Sequence, residues 1–257
     1  MKHTRLPLVR TRAVGIVIPA HNEFELLGAA LMSLEIAIAA LGAAKVEVGV
    51  AVVLDSCSDD SDTVVREWMR RARRRGTLTT AMPLECDAKN VGIARGLGCA
   101  ALLNTWDDIR AGEIWLATTD ADSRVPPQWL SAQVLAHERG ADLWTGRVAV
   151  TDWENYGDET IARWTAGYEA EEYPIHGTSM GFNAWHYMKV GGFAPLQCGE
   201  DRELFRLLVE SGAHWSHNPS LRVTTSSRRF ARAPGGFAHV LELMDSSIDL
   251  SDRGDDK

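Results

Sequence analysis

The sequence predicts an α/β fold in which a mainly parallel sheet is flanked by helices and is followed by an α+β second half. Short apolar runs alternate with longer segments of helical periodicity, a pattern typical of a parallel sheet covered by helices. The chain has 257 residues, of which 45% are hydrophobic and 24% charged, so it can bury a large core. No repeat or low-complexity linker interrupts it, which favours one domain over residues 1–244 and a frayed or disordered acidic tail over residues 245–257.

The first half of the chain contains four strand candidates, each followed by a helical segment. The strands are short apolar runs at residues 14–19, 46–54, 78–83 and 114–118. The helices are longer amphipathic or alanine-rich patterns at residues 22–41, 60–75 and 90–104 and beyond residue 126. Ser58 and Asp59 are candidate caps of the second helix, and Pro126 and Pro127 are predicted to open the fourth.

The pattern changes past Gly140. Residues 143–150 have the composition of a strand, residues 154–172 are mixed and aromatic, and residues 200–211 form a clear amphipathic helix pattern. We therefore expect α+β material added to the parallel first half.

Charge and cysteine content exclude several classes of protein. The net charge is −8, so a general attraction to nucleic acid is not expected. The four cysteines are far apart and form no Cys-x-x-Cys pair, which argues against a zinc knuckle or a disulfide framework and favours a reducing cytoplasm. Residues 26–44 are apolar but contain Ser33 and Glu35, which indicates an amphipathic helix rather than a transmembrane segment. The sequence leaves peripheral contact with a membrane surface as an alternative.

Five arginines lie within residues 70–75, at the predicted end of the second helix. Cations at that position complement the helix dipole, so a solvated helix end is the favoured interpretation. Binding of nucleic acid or of a membrane is the alternative.

Polar side chains follow each of the four predicted strands. In chain order they are His21, Asn22 and Glu23, then Asp55, then Lys89 and Asn90, and finally Asp120 and Asp122. Any one of them could merely cap a helix or end a strand. Because the carboxyl ends of parallel strands meet at one edge of the sheet, together they predict a ligand site there.

Asp120 and Asp122 are the most chemically specific pair. Two carboxylates two residues apart can share one Mg²⁺ or Mn²⁺ ion, which would neutralise a nucleotide diphosphate. The alternative is a pair of capping residues before the following helix.

Five motifs in order resemble those of glycosyltransferase family 2. They are IVIPAHNE, VVLDSCSDDS, AKNVGIARGLG, TTDADS and GEDRELFRLL, within residues 13–225. The resemblance implies the Rossmann-like GT-A fold, an inverting mechanism and a nucleotide-diphospho-sugar donor. It also implies a nucleotide-sugar half over about residues 13–122 and an acceptor half over about residues 123–244.

The resemblance also assigns donor and metal residues. The donor-binding residues it implies are Pro19, Ala20, His21, Glu23, Asp55, Lys89, Arg95, Asp120 and Ala121. Among these, Asp55 would accept from the nucleobase, and Lys89 and Arg95 would lie near ribose or phosphate. Asp122 would ligate the metal directly, with Asp120 on the ribose or on a metal-bound water.

The catalytic residues implied are Glu200 and Asp201, at the start of the late helix, with Asp201 as the base that deprotonates the acceptor hydroxyl. Asp201 could instead only stabilise the helix dipole. The acceptor-binding residues implied are Gly177, Thr178, Ser179 and Met180. Upstream aromatic residues, among them Trp164 and Tyr168, could stack on a sugar, although packing is the favoured interpretation.

The stretch after the catalytic helix departs from the family pattern. Many relatives have a third metal ligand there, a histidine, but residues 221–229 contain none. The metal would then be held by Asp122, the diphosphate and water. Arg228 and Arg229 are predicted either to close over the diphosphate or to form a solvated turn.

The function expected is metal-dependent, inverting transfer of a hexose from a UDP- or GDP-linked sugar to a hydroxyl acceptor. The alternatives are a nucleotidyltransferase that makes the activated sugar and a non-catalytic nucleotide-binding relative. The PAHNE junction after the first strand counts against the nucleotidyltransferase, which would need a glycine- and basic-rich loop there.

Overall fold

The computed structural model describes residues 9–42, 46–76, 80–151, 153, 156–227, 241 and 243–245. Within them the strands are Ala13–Ala20 (β1), Glu47–Asp55 (β2), Thr80–Cys86 (β3), Ile114–Thr118 (β4), Ser123–Arg124 (β5), Leu143–Val150 (β6), Met180–Asn183 (β7) and Trp215–Thr225 (β8). The α-helices are Phe24–Ala39 (α1), Ser61–Arg75 (α2), Val91–Thr105 (α3), Trp129–Glu138 (α4), Asp158–Ala170 (α5), Ala184–Lys189 (α6) and Glu200–Glu210 (α7).

The strands form one eight-stranded sheet in the order β3-β2-β1-β4-β7-β6-β8-β5. The first four strands of this order are parallel, whereas β7 pairs antiparallel with both β4 and β6. The structure confirms the predicted α/β class, with a parallel first half and a mixed second half joined through the pairing of β4 with β7.

Helices cover both faces of the sheet, and each face has its own hydrophobic core. Helices α1, α2 and α4 pack on one face, where Leu31, Trp68 and Trp129 are buried. Helices α3, α6 and α7 pack on the other face, around Leu102 and Phe182. Burial of β1 and β2 from both sides explains why their sequences are continuous apolar runs.

Three predicted segments differ from the structure, and β5 and α6 were not predicted. Strand β3 was expected to stop at Pro83 but continues to Cys86, because β3 is an edge strand on which a residue without an N–H is tolerated. Pro126 and Pro127 do not open α4; they form part of the preceding turn, in which the Trp129 N–H donates to the Pro126 carbonyl. The mixed aromatic segment contains α5, which periodicity did not reveal.

The Arg228 and Arg229 prediction lies outside the described residues, as does the tail prediction beyond residue 245. In the part of the chain that the structure describes, no helix has both the length and the apolar character needed to cross a bilayer.

Candidate active site

A cleft of about 1120 Å³ lies at the carboxyl ends of β1, β2 and β4 and extends to the start of α7. The predicted site residues that line it are Pro19, Ala20, His21, Glu23, Asp55, Lys89, Arg95, Asp120, Ala121, Asp122, Gly177, Thr178, Glu200 and Asp201. Its volume is slightly above that of typical small-molecule sites, which enclose roughly 300–1,000 Å³. Residues separated by up to 182 positions in the chain therefore share one cavity.

Three non-glycine residues with a left-handed backbone lie in the loops at this edge. They are Asn22 after β1, Ser56 after β2 and Lys89 after β3, with φ angles of 54°, 54° and 48°. Such conformations are disfavoured for residues with a Cβ and cluster at functional sites, where surrounding contacts hold them in place. The strand ends at the cleft thus carry backbone strain.

Asp55 holds the loop between β3 and α3. One carboxylate oxygen accepts from the backbone N–H groups of Ala88 and Lys89, and the other accepts from that of Asn90, all at 2.8 Å. Burial alone would raise the pKa of Asp55, but these hydrogen bonds outweigh it and lower the pKa. A contact of Asp55 with a nucleobase stays a prediction, and the carboxylate already has this structural task.

Hydrogen bonds connect the starts of α1 and α2 at the wall of the cleft. The Asn22 side-chain oxygen accepts from the Ser58 N–H at 2.7 Å, and Asp59 accepts from the N–H groups of Phe24 and Ser61. Asp59 therefore satisfies the helix start, as expected, but serves two helices rather than one.

Arg95 is buried and bridges two carboxylates. Its guanidinium pairs with Asp120 at 2.5 Å and also with Glu200, and only 3% of the residue is exposed. Burial would lower the pKa of Arg95, but Glu200, Asp120 and Asp201 outweigh it and raise the pKa. The guanidinium packs against Gly177, where there is no room for a Cβ. The first half of the chain is thereby joined to the start of α7.

Asp201 lies beside this bridge and faces the cleft. Its carboxylate accepts from the Gly177 N–H and from the Arg202 N–H, both at 2.7 Å. Each carboxylate oxygen has capacity for a further hydrogen bond. The two backbone hydrogen bonds therefore orient the carboxylate, and both of its oxygens can still accept a hydrogen bond from a ligand.

Asp120 and Asp122 lie directly after β4, on the floor of the cleft. Burial and the neighbouring Asp122 carboxylate raise the pKa of Asp120, although Arg95 opposes this shift. No group of three or more metal-ligating side chains occurs among the described residues. The pair nevertheless fits a Mg²⁺ or Mn²⁺ ion, because such ions are commonly held by one or two carboxylates together with substrate phosphates and water.

The far wall of the cleft is aromatic. The Trp164 and Tyr168 rings stack at 4.9 Å, and the His176 ring lies 5.6 Å from that of Tyr168. The Arg147 guanidinium covers Tyr168 at 4.8 Å from the ring centre. Burial, with Arg202 and Arg147 nearby, lowers the pKa of His176 to about 4 although Asp201 opposes it, so its imidazole is neutral at pH 7.

A sequence model described as "Glycosyl transferase family 2" matches residues 15–190, which is more than half of the chain. The chain belongs to glycosyltransferase family 2. The match identifies this family 2 chain as a glycosyltransferase. No curated protein sequence matches it significantly.

Solved structures show the same GT-A-like fold at low sequence identity. S. aureus TarS is 13% identical, with a TM-score of 0.59, and the match covers 83% of this chain and 36% of TarS. The mannosyltransferase PcManGT from Pyrobaculum calidifontis, in complex with GDP-Man and Mn²⁺, is 16% identical, with a TM-score of 0.59 and coverage of 98% and 77%. Glucosyl-3-phosphoglycerate synthase from Mycobacterium tuberculosis, in complex with Mg²⁺ and UDP, is 14% identical, with a TM-score of 0.50 and coverage of 93% and 79%. The family 2 chain thus spans about a third of the TarS chain.

Two of the predicted acceptor residues do not reach the cleft of this family 2 chain. Ser179 and Met180 are fully buried: Met180 packs in the core around Phe182, and the Ser179 hydroxyl accepts from the Trp129 indole. This corrects the acceptor-side prediction. The segment turns inward to begin β7, which leaves Gly177 and Thr178 at the surface of the cavity.

Arg95 and Glu200 also have different partners from those expected. Arg95 was predicted near ribose or phosphate, but its guanidinium is engaged by two carboxylates. Burial raises the pKa of Glu200, and the paired Arg95 opposes that shift. Both residues line the cleft, where the guanidinium joins Asp120 to Glu200 at the start of α7.

Several cleft residues were missed by sequence reasoning. Ser58 was considered only as a helix cap, His176 was given no role, and Trp164 and Tyr168 were interpreted as packing residues, yet all four line the cleft. The four-residue spacing of Trp164 and Tyr168, which places both on one helix face, was the available signal.

Proposed function

We propose that this family 2 chain transfers a hexose from a UDP- or GDP-linked sugar to a hydroxyl acceptor with inversion at the anomeric carbon. In this proposal a divalent cation is held at Asp122 and Asp120, and Asp201 is the catalytic base. The observation that carries it is the meeting of Asp201 with Asp120 in one cleft, across the Arg95–Glu200 bridge.

The geometry of Asp201 supports a role as base. Inversion requires a carboxylate that takes the acceptor proton on the face opposite the departing diphosphate. The N–H groups of Gly177 and Arg202 hold the Asp201 carboxylate in place. As the acceptor oxygen bonds to the anomeric carbon, its proton passes to a carboxylate oxygen of Asp201, and the bond from the anomeric carbon to the diphosphate oxygen breaks.

Asp122 and Asp120 would hold the cation, with the donor diphosphate and water completing its shell. A cation bound there would supply charge neutralisation for the diphosphate. Asp120 is oriented for this task by Arg95, and the mutual repulsion of the two carboxylates favours a cation between them.

Similar solved structures indicate which donors and cations to expect. PcManGT was solved with GDP-Man and Mn²⁺, a TarS structure with UDP, and the mycobacterial synthase with UDP and Mg²⁺. We therefore extend to this chain the use of a UDP- or GDP-linked sugar and of Mg²⁺ or Mn²⁺.

The test is a donor screen that measures release of the nucleoside diphosphate. The purified chain is incubated with UDP-glucose, UDP-N-acetylglucosamine or GDP-mannose in the presence of Mn²⁺ or Mg²⁺, with water or simple sugars as acceptor. Asp201→Asn is expected to lower turnover at least about 100-fold, the lower range for loss of a general base. Asp62→Asn, an exposed change of the same type on α2, is the control and should leave turnover unchanged.

Two results would count against the proposal. Turnover of Asp201→Asn equal to that of the wild type refutes the base. Calorimetry in which Asp122→Ala binds the nucleoside diphosphate with Mn²⁺ as tightly as the wild type refutes the cation site.

A further inference from the structure

Helix α1 has an apolar solvent face as well as an apolar buried face. Leu27, Leu31 and Leu34 are buried against the sheet. On the solvent side of the helix Met32 and Ile36 are 63% and 52% exposed. Because these two positions are four residues apart, they lie on the same face and form a short apolar stripe, about 6 Å long at 1.5 Å per residue. Large apolar side chains left in water next to each other commonly mark an interaction surface.

Helix α2 runs beside α1 and brings a cluster of arginines to the end of this stripe. The Arg75 guanidinium pairs with Glu35, the neighbour of Ile36, at 2.9 Å. The exposed arginines of α2 are Arg66, Arg70, Arg71, Arg73, Arg74 and Arg75. The whole chain has a net charge of −8, so this positive end stands out from an acidic molecule.

We propose that the solvent face of α1 and α2 binds an anionic membrane surface, with Met32 and Ile36 inserted at the level of the headgroups and the arginines on lipid phosphates. An apolar stripe beside a basic cluster is the combination that binds peripheral helices to anionic bilayers. Arginine pairs with phosphate in a bidentate manner. This inference is independent of the proposed sugar transfer.

Two other occupants fit the surface less well. A nucleic acid would use the arginines but would leave the apolar stripe in water. A second copy of the chain on the stripe would cover two half-exposed side chains, roughly 200 Å², against about 800 Å² per partner in a stable dimer. The charge of α2 is complementary to lipid headgroups.

The surface lies away from the cleft. In a strand–helix–strand unit each helix begins near the carboxyl end of its preceding strand, so the last turns of α1 and α2 are at the opposite edge of the sheet from the cleft. A membrane bound there leaves the cleft open to substrates.

The test is sedimentation of the full chain with vesicles at low and at physiological salt. One set of vesicles is phosphatidylcholine alone, and the other contains one-third phosphatidylglycerol. We expect binding to the anionic vesicles, weakened by salt. Arg70→Gln with Arg71→Gln should weaken it about 25-fold, taking roughly fivefold per arginine. The control double variant, Arg110→Gln with Arg139→Gln, should bind the anionic vesicles as tightly as the wild type.

The contribution of the apolar side chains is tested with the double variant Met32→Ser with Ile36→Ser, which should weaken vesicle binding at least about tenfold. Met188→Ser with Leu135→Ser is the control, because Met188 and Leu135 are 54% and 46% exposed on other helices. All four variants change exposed side chains, and donor turnover without vesicles should match that of the wild type.

Three results overturn the inference. The first is no sedimentation with anionic vesicles at low salt, and the second is equal binding to both vesicle types. The third is evidence for another occupant of this surface. Such evidence would be binding of a short RNA duplex through the arginines by a chain that does not bind vesicles. It would also be a dimer, detected by light scattering, that the Met32→Ser substitution dissociates.

Discussion

Replacing Arg95 with methionine is expected to destabilise the protein by about 3–5 kcal/mol, the range for breaking a buried ion pair by removing one partner. Arg95 and Glu200 are 3% and 4% exposed, so loss of the guanidinium leaves the Glu200 carboxylate buried without a cation. The methionine fills much of the arginine volume, which limits the contribution of a cavity. The loss is a large part of a typical unfolding free energy of roughly 5–15 kcal/mol.

The assay is urea unfolding followed by circular dichroism, with the free energy taken from the midpoint and the slope. Arg95→Lys is the matched control: it keeps the charge but cannot bond to two carboxylates through a planar fork, so an intermediate loss is expected. Combining Arg95→Met with Glu200→Met removes both buried charges. That double variant should be at least about 1 kcal/mol more stable than the sum of the two single losses predicts.

The pH dependence of Arg95→Met gives a second readout. Burial raises the pKa of Glu200, and without the guanidinium the largest opposing interaction is lost, which leaves only the hydrogen bond from the backbone N–H of Glu200 against that shift. Folding then favours the protonated acid, so the destabilisation should be largest at pH 8 and should shrink as the pH falls through the folded-state pKa of Glu200. The reasoning is refuted if Arg95→Met unfolds within about 1 kcal/mol of the wild type at pH 8, or if the two methionine substitutions are simply additive.

Three further predictions concern single residues. Asp55→Asn should lower the unfolding free energy by about 1–3 kcal/mol in urea, because an amide group must then face a loop N–H that the carboxylate now accepts; an unchanged midpoint contradicts this. Gly177→Ala should lower the unfolding free energy by about 1–3 kcal/mol, because a Cβ there collides with the Arg95 guanidinium. The control Gly167→Ala, at an exposed position of α5, should raise it by up to about 1 kcal/mol. Equal effects of the two changes would contradict this prediction. Burial lowers the pKa of His137 from 6.5 to about 4, so the folded state binds fewer protons there than the unfolded state and stability should fall by about 3 kcal/mol between pH 6.5 and pH 4. His137→Gln should flatten that pH dependence, and an equally steep profile in the variant would show that another group causes it.

The parallel half of the fold was predictable because its strands are buried on both faces. Strand β1 was predicted from its apolar run to within a residue at each end, and β2 likewise. Pro83 misled the prediction of β3 because a proline is compatible with a strand only at a sheet edge, and the order of strands is set by distant pairings. Helix α5 was missed because it has few buried positions among the described residues, so its periodicity is weak.

It was predictable which strand-end residues line the cleft, but the contacts between them were not. Residues that follow parallel strands must meet at one edge, and this placed Asp55, Asp120 and the first-strand residues correctly in one cleft. The sequence does not show whether a carboxylate faces a ligand or the protein. Asp55 bonds to a neighbouring loop, and Glu200 pairs with an arginine 105 positions away. Such partners follow from the tertiary fold alone.

The charges that line the cleft make donor binding depend on a cation if the proposed function is right. Among the described lining residues, seven are carboxylates and three are cations: Glu23, Asp55, Asp120, Asp122, Glu171, Glu200 and Asp201 against Lys89, Arg95 and Arg202. Backbone N–H groups stabilise Asp55, and Arg95 is used by Asp120 and Glu200. An anionic diphosphate would therefore meet a negative floor at Asp122 unless a divalent cation binds with it.

That electrostatic argument has a measurable consequence. By linkage, Mn²⁺ must raise the affinity for UDP or GDP by the same factor as the nucleotide raises the affinity for Mn²⁺. We expect a factor of at least about fivefold in calorimetric titrations, since couplings of this kind are typically 1–3 kcal/mol. Asp122→Asn should reduce this factor to near one, whereas Asp62→Asn should leave it intact. A wild-type factor of one would show that the cleft neutralises the diphosphate by some other means and would remove the electrostatic reason for a cation at Asp122.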